Sequence, residues 1–344
     1  MLNQTLLNEI GADIEAEMQA IRHEQAPVAP ILWEIVDYQF GWDLDDRAER
    51  RHISGKKIRP QLMALVAQAI IGDYRHVLPA GAALELLHNF TLIHDDVMDK
   101  SPERRHRPAV WTRWGSTQAI NAGDGLYALA NLSSARLLDQ GMVPRRAVEM
   151  FRVMSQACLW TAEGQMLDIS FETRETVSTA EYITMITHKT GTLIEAAAKI
   201  GALLSTDDEH VIQSYAQFAR LLGIAFQVRD DYLGVWGDEA QTGKSATSDI
   251  REKKKAYPLL AALEHAGAAD RNALLRLYAQ ETLSDADVQT VLAIFNRAGA
   301  AEQTEHVAAE YYTSALAHLD DTGIRNDTQD TIRQLAAFLN QRAY

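Results

Sequence analysis

Residues 84–114, LELLHNFTLIHDDVMDKSPERRHRPAVWTRW, constrain this 344-residue chain more than any other stretch. Read at the helical period, the segment is apolar except along one line, because Glu85, His88, Asp95, Asp96 and Asp99 fall at i, i+3, i+10, i+11 and i+14. A solvated helix face usually mixes Lys with Glu. Here three carboxylates gather within five residues, and no cation joins them until Lys100. Like charges that close stay ionised only if water, cations or a metal ion compensates them.

Ser101-Pro102 is expected to end the helix, because a residue before proline is pushed out of the α region, and Arg104-Arg105-His106-Arg107 follows. One reading is an internal salt-bridge patch. The other is a magnesium-bridged phosphate site, with Asp95 and Asp99 on successive turns as hard oxygen ligands and arginines gripping the remaining anionic oxygens. One copy does not decide. A second copy stands at residues 226–238, FQVRDDYLGVWGD, where Gln227 lies one turn before the pair Asp230 and Asp231 and is followed by Lys244, Lys253, Lys254 and Lys255. Two carboxylate pairs, each trailed by cations, favour the metal–diphosphate reading over surface decoration.

Apolar residues make up 47% of the chain and charged ones 23%, enough for a sizeable core. A formal net charge of −14 argues against nucleic acid or an anionic membrane surface as a partner. The single Cys158 excludes an intramolecular disulfide framework. With no leader-like start and no run of about 18 apolar residues, the expectation is a cytoplasmic protein without a membrane span. Leu7, Ile10, Ile14, Met18 and Ile21 mark a first helix that stops before Pro27, and Leu62, Leu65, Val66, Ala69 and Ile70 mark another. Ala308, Tyr312, Ala315, Leu316 and Leu319, then Ile332, Leu335, Ala336 and Leu339, repeat the spacing near the C-terminus. Strand-like alternation is not apparent. The expected fold is all-α, a bundle of roughly ten or more helices, and no linker divides residues 1–344, which read as a single domain.

Three quieter signals remain. In SGKKIRP, Lys56, Lys57 and Arg59 stand at a helix start, where a cation works against the dipole; an exposed loop and a phosphate grip are both open. Lys189 falls in an apolar helical stretch between Ile186 and Leu193, so it either snorkels to water or meets an anion. Gln165 and Asp168 read equally as solvated positions or as supports of a site. Two familiar motifs fit poorly. Gly243-Lys244-Ser245 lacks the P-loop glycine, since Asp238 holds its place, and a His-Asp phosphohydrolase built on His88, His94 and Asp95 leaves the second aspartate pair unexplained.

In the order GKKIRP, LLHNFTLIHDDVMD with the following RR, EGQMLD, HKTG, FQVRDD, TGK and DIREKKK, nearly the whole chain resembles the trans-isoprenyl diphosphate (polyprenyl) synthases. The resemblance implies an all-α bundle around a deep central cavity, usually a homodimer. Its implied reaction is a magnesium-dependent head-to-tail condensation of isopentenyl diphosphate with an allylic diphosphate. By the same resemblance Asp95 and Asp99 hold two Mg2+ ions on the allylic diphosphate and Asp230 holds a third, with Asp96 and Asp231 in outer or water-mediated contact. Arg104, Lys189 and Lys244 resemble the allylic-diphosphate cations, with Lys254 nearby, and Lys56, Arg59, His88 and Arg105 resemble the isopentenyl diphosphate pocket. Gln227 and Thr190 are expected to line the reacting centre.

The chain departs from that pattern at Gly234, where the family often has a third aspartate, and at Lys253 and Ala256, which replace a glycine and a threonine. In the family, bulky residues before the first aspartate motif form the floor that stops chain growth. Leu87, Phe90 and Thr91 occupy that region, and one aromatic beside a small neighbour fits a twenty-carbon product, geranylgeranyl diphosphate, with farnesyl diphosphate as the alternative. A terpene cyclase would lack the pocket for a second diphosphate, and a non-catalytic synthase subunit would have lost aspartates or arginines.

Overall fold

The computed structural model describes residues 3–25, 28–46, 49–50, 53, 55–237 and 247–341. Lys244, read above as a diphosphate cation, and Asp238 lie outside the described residues. The chain forms two compact units: the first takes residues 1–158, 196–213 and 324–332, and the second takes 159–195, 214–323 and 333–344.

In the first unit, α1 (Gln4–His23) buries Leu7, Ile10, Ile14, Met18 and Ile21, the stripe that its periodicity predicts. After α2 (Pro30–Phe40) comes α3 (Ile58–Ile71), whose Leu62 to Ala67 are all buried. That exceeds the one-sided burial its spacing implies, because α3 is covered on more than one side. It lies against α1, and the backbone oxygen of Met63 sits so near Gly201 that an added methyl group there would lie 2.4 Å from it. The central helix is α4 (Leu78–Met98), entered through a 3-10 turn at Arg75–Val77 and packed on α1, α3 and, most extensively, α6 (Ser116–Asp139). Its interior positions from Pro79 to Leu87 are all buried, at about 1.5–3 kcal/mol for each large apolar side chain. A short α5 (Val110–Trp114) precedes α6.

The next helix is α7 (Pro144–Thr173), and α8 (Thr179–Ile186) starts at a capping box in which Ser178 and Glu181 satisfy each other's backbone N–H groups. A π-helical turn, Thr187–Gly191, leads into α9 (Thr192–Leu203), and α10 (Glu209–Trp236) follows. The chain passes between the units within α7, α9 and α10, again at residues 323–324, and once more at residues 332–333. In the second unit, α11 (Ser248–Arg251), α12 (Tyr257–His265), α13 (Ala268–Tyr278), α14 (Asp285–Arg297) and α15 (Ala300–Asp321) precede α16 (Asp327–Gln341). Phe171, Tyr182, Val228, Ile250, Leu260, Leu274, Val291 and Phe295 centre its core.

Among the described residues the fold is all-α apart from one feature that the sequence did not announce. Glu103–Arg104 pairs antiparallel with Arg107–Pro108 as a two-residue ribbon. Among the described residues no helix is long and apolar enough to cross a membrane.

Candidate active site

Asp95, Asp96 and Asp99 close α4. Asp99 is the C-cap and donates its N–H to the Asp95 carbonyl at 2.8 Å; Lys100 then turns left-handed at φ 52°, and the Ser101 N–H returns to the Asp96 carbonyl at 3.0 Å. This is a Schellman stop with lysine where glycine is usual. The helix therefore ends before Ser101-Pro102, because the left-handed residue turns the chain first. Three carboxylates thus sit at the negative end of a helix whose last turn has no basic residue, an arrangement unfavourable by about 0.3–1 kcal/mol per charge unless a cation offsets it.

The ribbon brings the nearest cations. Its two turn residues, Arg105 at φ 52° and His106 at φ 61°, are both left-handed, a region that costs a side-chain-bearing residue about 1–2 kcal/mol. Three anchors hold it. Arg104 Nε donates to Asp96 Oδ2 at 2.8 Å and its Nη2 donates to Oδ1 at 2.6 Å. Arg105 Nη1 donates to the Ile53 carbonyl at 2.6 Å. Tyr38 Oη donates to the Pro108 carbonyl at 2.8 Å, and the Arg107 guanidinium lies 3.7 Å above the Tyr38 ring. Asp96 is buried at 3% exposure, so burial pushes its carboxyl up while the Arg104 guanidinium draws it back.

Beneath the ribbon, Arg59 Nη1 stands 3.1 Å from His88 Nε2. A guanidinium only donates, so Nε2 accepts and the imidazole proton sits on Nδ1. That Nδ1 is buried with no hydrogen-bond partner among the described residues. Burial, and then the charges of Arg59, Arg105 and Arg104, hold the His88 pKa well below its ordinary 6.5, so the ring is neutral. Lys56 is exposed. Lys57 is not part of it: its ammonium is buried 3.0 Å from Glu15 Oε2, which also accepts from nearby Trp42 through its other oxygen. Buried Glu85 accepts from Asn89 Nδ2 at 3.1 Å, and Asn89 Oδ1 accepts from Gln39 Nε2 at 3.1 Å.

Of the three residues read as a chain-length floor, Leu87 is buried and Thr91 Oγ1 donates to the His88 carbonyl at 2.8 Å. The half-buried Phe90 ring meets His94 edge-on with centroids 4.7 Å apart, and its centroid is 5.5 Å from that of Tyr127 on α6.

The second unit carries the other motif. Lys189 and Thr190 belong to the π turn, whose wider backbone needs room from its neighbours. Gly164 of α7 supplies it: a methyl group there would lie 2.3 Å from Lys189 N and 2.7 Å from Lys189 Cα. Gly223 of α10 does the same for Gly191, with a Cβ-to-Cα distance of 2.7 Å. Lys189 Nζ donates to Asp168 Oδ2, which answers how an ammonium is accommodated in an apolar stretch. Gln165 is buried on the same helix.

Thr190 Oγ1 donates to Gln227 Oε1 at 2.9 Å, and Gln227 Nε2 donates to Asp231 Oδ1 at 3.0 Å. Asp231 Oδ2 accepts from Tyr182 Oη at 2.5 Å and from the Tyr257 N–H at 3.0 Å. Burial pushes the Asp231 carboxyl up to about 7, and the donated hydrogen bonds oppose that rise. Asp230 sits beside it, six residues before the end of α10, again near the negative end of a helix.

Gly234 is one turn beyond Asp230. A methyl group there would lie 2.2 Å from Asp249 Oδ2 and 2.5 Å from Asp249 Cγ, so the buried Asp249 carboxylate fills the space over that helix position. Lys254 Nζ donates to Asp249 Oδ1 at 2.9 Å and lies 3.1 Å from Glu252 Oε2. Sequence reading missed Tyr182, Asp249 and Gly164. Only Asp249 left a signal, as an acid placed just before the Lys253–Lys255 run.

Among the described residues no three acidic, histidine or cysteine side chains form a metal-holding group by themselves. The carboxylates fit magnesium in another way. That ion keeps water and phosphate oxygens in its shell and takes only one or two protein carboxylates, which Asp95 with Asp99, and Asp230, can supply.

The polyprenyl synthetase family model matches residues 48–295. Among curated relatives, a (2E,6E)-farnesyl diphosphate synthase of Mycobacterium tuberculosis is 31% identical over 344 residues, covering 99% of this chain and 94% of its own. A geranylgeranyl diphosphate synthase of the same organism is 34% identical over 321 residues, covering 93% and 89%. Among solved structures, a polyprenyl synthetase from Streptomyces coelicolor superposes with a TM-score of 0.86 at 34% identity, covering 98% of this chain and 99% of that one. A geranylgeranyl pyrophosphate synthase from Corynebacterium glutamicum, complexed with isoprenyl diphosphate and magnesium, superposes at 0.78 with 27% identity and 98% coverage of each chain. An all-α frame, two aspartate-ended helices and these matches lead to one conclusion: the chain belongs to the polyprenyl synthetase family of trans-isoprenyl diphosphate synthases, and it is a divalent-metal-dependent short-chain prenyltransferase.

Proposed function

We propose that the enzyme condenses isopentenyl diphosphate with an allylic diphosphate to give geranylgeranyl diphosphate, as a cytoplasmic homodimer working with three magnesium ions. The reading rests on one repeated observation. Both α4 and α10 carry an aspartate pair near the negative helix end, and in each pair the second member, Asp96 or Asp231, is buried on protein donors. Those bonds fix the helix end that presents Asp95 and Asp99 in one unit and Asp230 in the other.

Asp95, Asp99 and Asp230 are the proposed magnesium ligands. Bound magnesium supplies Lewis-acid stabilisation of a departing pyrophosphate. Arg104, Lys189, Lys244 and Lys254 add positive charge for the allylic diphosphate, while Lys56, Arg59, Arg105 and the His88 Nδ1–H hold that of isopentenyl diphosphate. The orphaned Nδ1 donor supports this assignment, since an anionic oxygen is the partner it lacks. The allylic C–O bond breaks with its electron pair leaving on pyrophosphate. The alkene of isopentenyl diphosphate forms the new C–C bond, and a proton passes to a pyrophosphate oxygen. Gln227 Oε1 and Thr190 Oγ1 turn oxygen toward the developing cation, and apolar helix faces exclude water that would quench it.

The half-buried Phe90 beside Thr91 supports the twenty-carbon product. Farnesyl diphosphate is the second reading, favoured by the like-named relative of nearly equal length. Exposed Ile120, Tyr127 and Leu132 on α6 support self-association. The test incubates the protein with magnesium, isopentenyl diphosphate and each allylic diphosphate, and sizes the products. A dominant C20 product is expected; C15 would move the assignment to farnesyl diphosphate, and pyrophosphate release without elongation would point to a cyclase. Asp95→Ala is expected to abolish turnover with its helical circular dichroism unchanged, and near-normal rates would overturn the ligand assignment.

A further inference from the structure

Tyr182 has no place in the reaction described so far, yet it is 1% exposed and spends its hydroxyl on the aspartate motif at 2.5 Å. Burial and the Asp231 charge push its pKa well above 10, so the phenol remains a donor throughout the working pH range. The Asp231 carboxylate is surrounded by donors: the Tyr182 hydroxyl and the Tyr257 N–H on one oxygen, and an amide of Gln227 on the other. With three donors converging on its two oxygens, Asp231 is held as the acceptor in every one of these bonds. Gln227 must therefore give Asp231 its nitrogen, and its carbonyl oxygen is left to face Thr190, whose hydroxyl donates to it at 2.9 Å.

We infer that Tyr182 is a positioning residue that sets which way the Gln227 amide points, acting through Asp231. A flipped amide would set its carbonyl oxygen against the Asp231 carboxylate and its N–H₂ against the hydroxyl of Thr190. It would also turn a positive dipole end, instead of a negative one, toward a carbocation. The orientation is thus built into the free protein and needs no rearrangement during the reaction. The same tyrosine fixes α8 directly before the π turn, so the amide and its Thr190 partner share one support. This inference rests on the placement of Gln227 at the reacting centre proposed above.

The experiment compares wild type, Tyr182→Phe, Gln227→Glu and the double variant Gln227→Glu with Asp231→Asn. Steady-state kcat and both KM values are measured with magnesium, alongside calorimetric binding of magnesium pyrophosphate and thermal melts. Tyr182→Phe should lower kcat about tenfold, the size of one hydrogen bond to a charged group, with KM values and pyrophosphate affinity within about twofold. Gln227→Glu opposes two carboxylates and should lose more. Asp231→Asn restores a donor–acceptor pair and should recover part of that loss. Unchanged kcat in Tyr182→Phe, or equal losses in kcat and pyrophosphate affinity, would overturn the inference, as would a double variant no better than Gln227→Glu alone. The two levels of failure separate cleanly. If Gln227→Ala keeps wild-type kcat, Gln227 is not at the reacting centre and the functional placement fails; if it loses kcat while Tyr182→Phe does not, only the positioning role fails.

Discussion

Gly164→Ala tests the link between helix packing and chemistry. In an isolated helix the change stabilises by about 1 kcal/mol. Here the new methyl group meets Lys189 N at 2.3 Å and Lys189 Cα at 2.7 Å, where ordinary contact begins at 3.4 Å. The obstacle is backbone, so no side chain can swing aside, and the π turn must retreat by about 1 Å. A shift of that size, in a turn whose Gly191 already abuts Gly223 of α10, breaks the geometry of the 2.9 Å Thr190–Gln227 bond and moves Lys189 with it. Overpacking of about 1–3 kcal/mol, together with the lost bond, should leave a net destabilisation of about 2 kcal/mol. At about 2.1 cal/mol/K per residue, that lowers the midpoint of a 344-residue chain by about 3 °C. A displacement of about 1 Å at a reacting centre should cost turnover about a hundredfold. Calorimetry and steady-state kinetics with magnesium read the two effects together. A variant with wild-type kcat and an unshifted melt would refute the claim that Gly164 makes room for the turn.

Two further outcomes follow from the first unit. Phe90→Ala should lengthen the product, read by chromatography of the dephosphorylated alcohols; an unchanged distribution removes Phe90 from the floor. His88 is neutral in the fold, with its pKa well below 6.5, whereas the unfolded chain binds a proton there as pH drops through 6.5. The unfolded state then holds more protons, so this group makes stability fall with pH below about 6.5, by at most about 1.4 kcal/mol per pH unit, and contributes nothing above it. Denaturant melts between pH 5 and 7 should therefore show His88→Gln losing less stability on acidification than wild type, and parallel curves would contradict a ring held neutral in the fold.

The helices were legible because burial repeats at their own period: Leu7, Ile10, Ile14, Met18 and Ile21 are the buried face of α1. The aspartate-ended helices were legible because charge clustering at a helix end is improbable without compensation. The ribbon at 103–108 was not, since its left-handed turn uses Arg105 and His106 in place of the Asn and Gly that would mark it. The π turn was hidden for a different reason. Its extra width depends on Gly164 and Gly223, far away in sequence, and local propensity carries no trace of that packing. Lys57 looked like its neighbours Lys56 and Arg59, and only tertiary contact with Glu15 sets it apart.

The crowding between Gly234 and Asp249 couples these two positions. A side chain added at 234 would meet the Asp249 carboxylate at 2.2 Å, so that carboxylate, held by Lys254 at 2.9 Å, has to swing aside before an aspartate on α10 can be placed there. Adding an aspartate at 234 is therefore no simple restoration toward the commoner family pattern. It requires the occupant from 249 to withdraw first, which couples the two sites in any attempt to exchange motifs between this enzyme and its relatives.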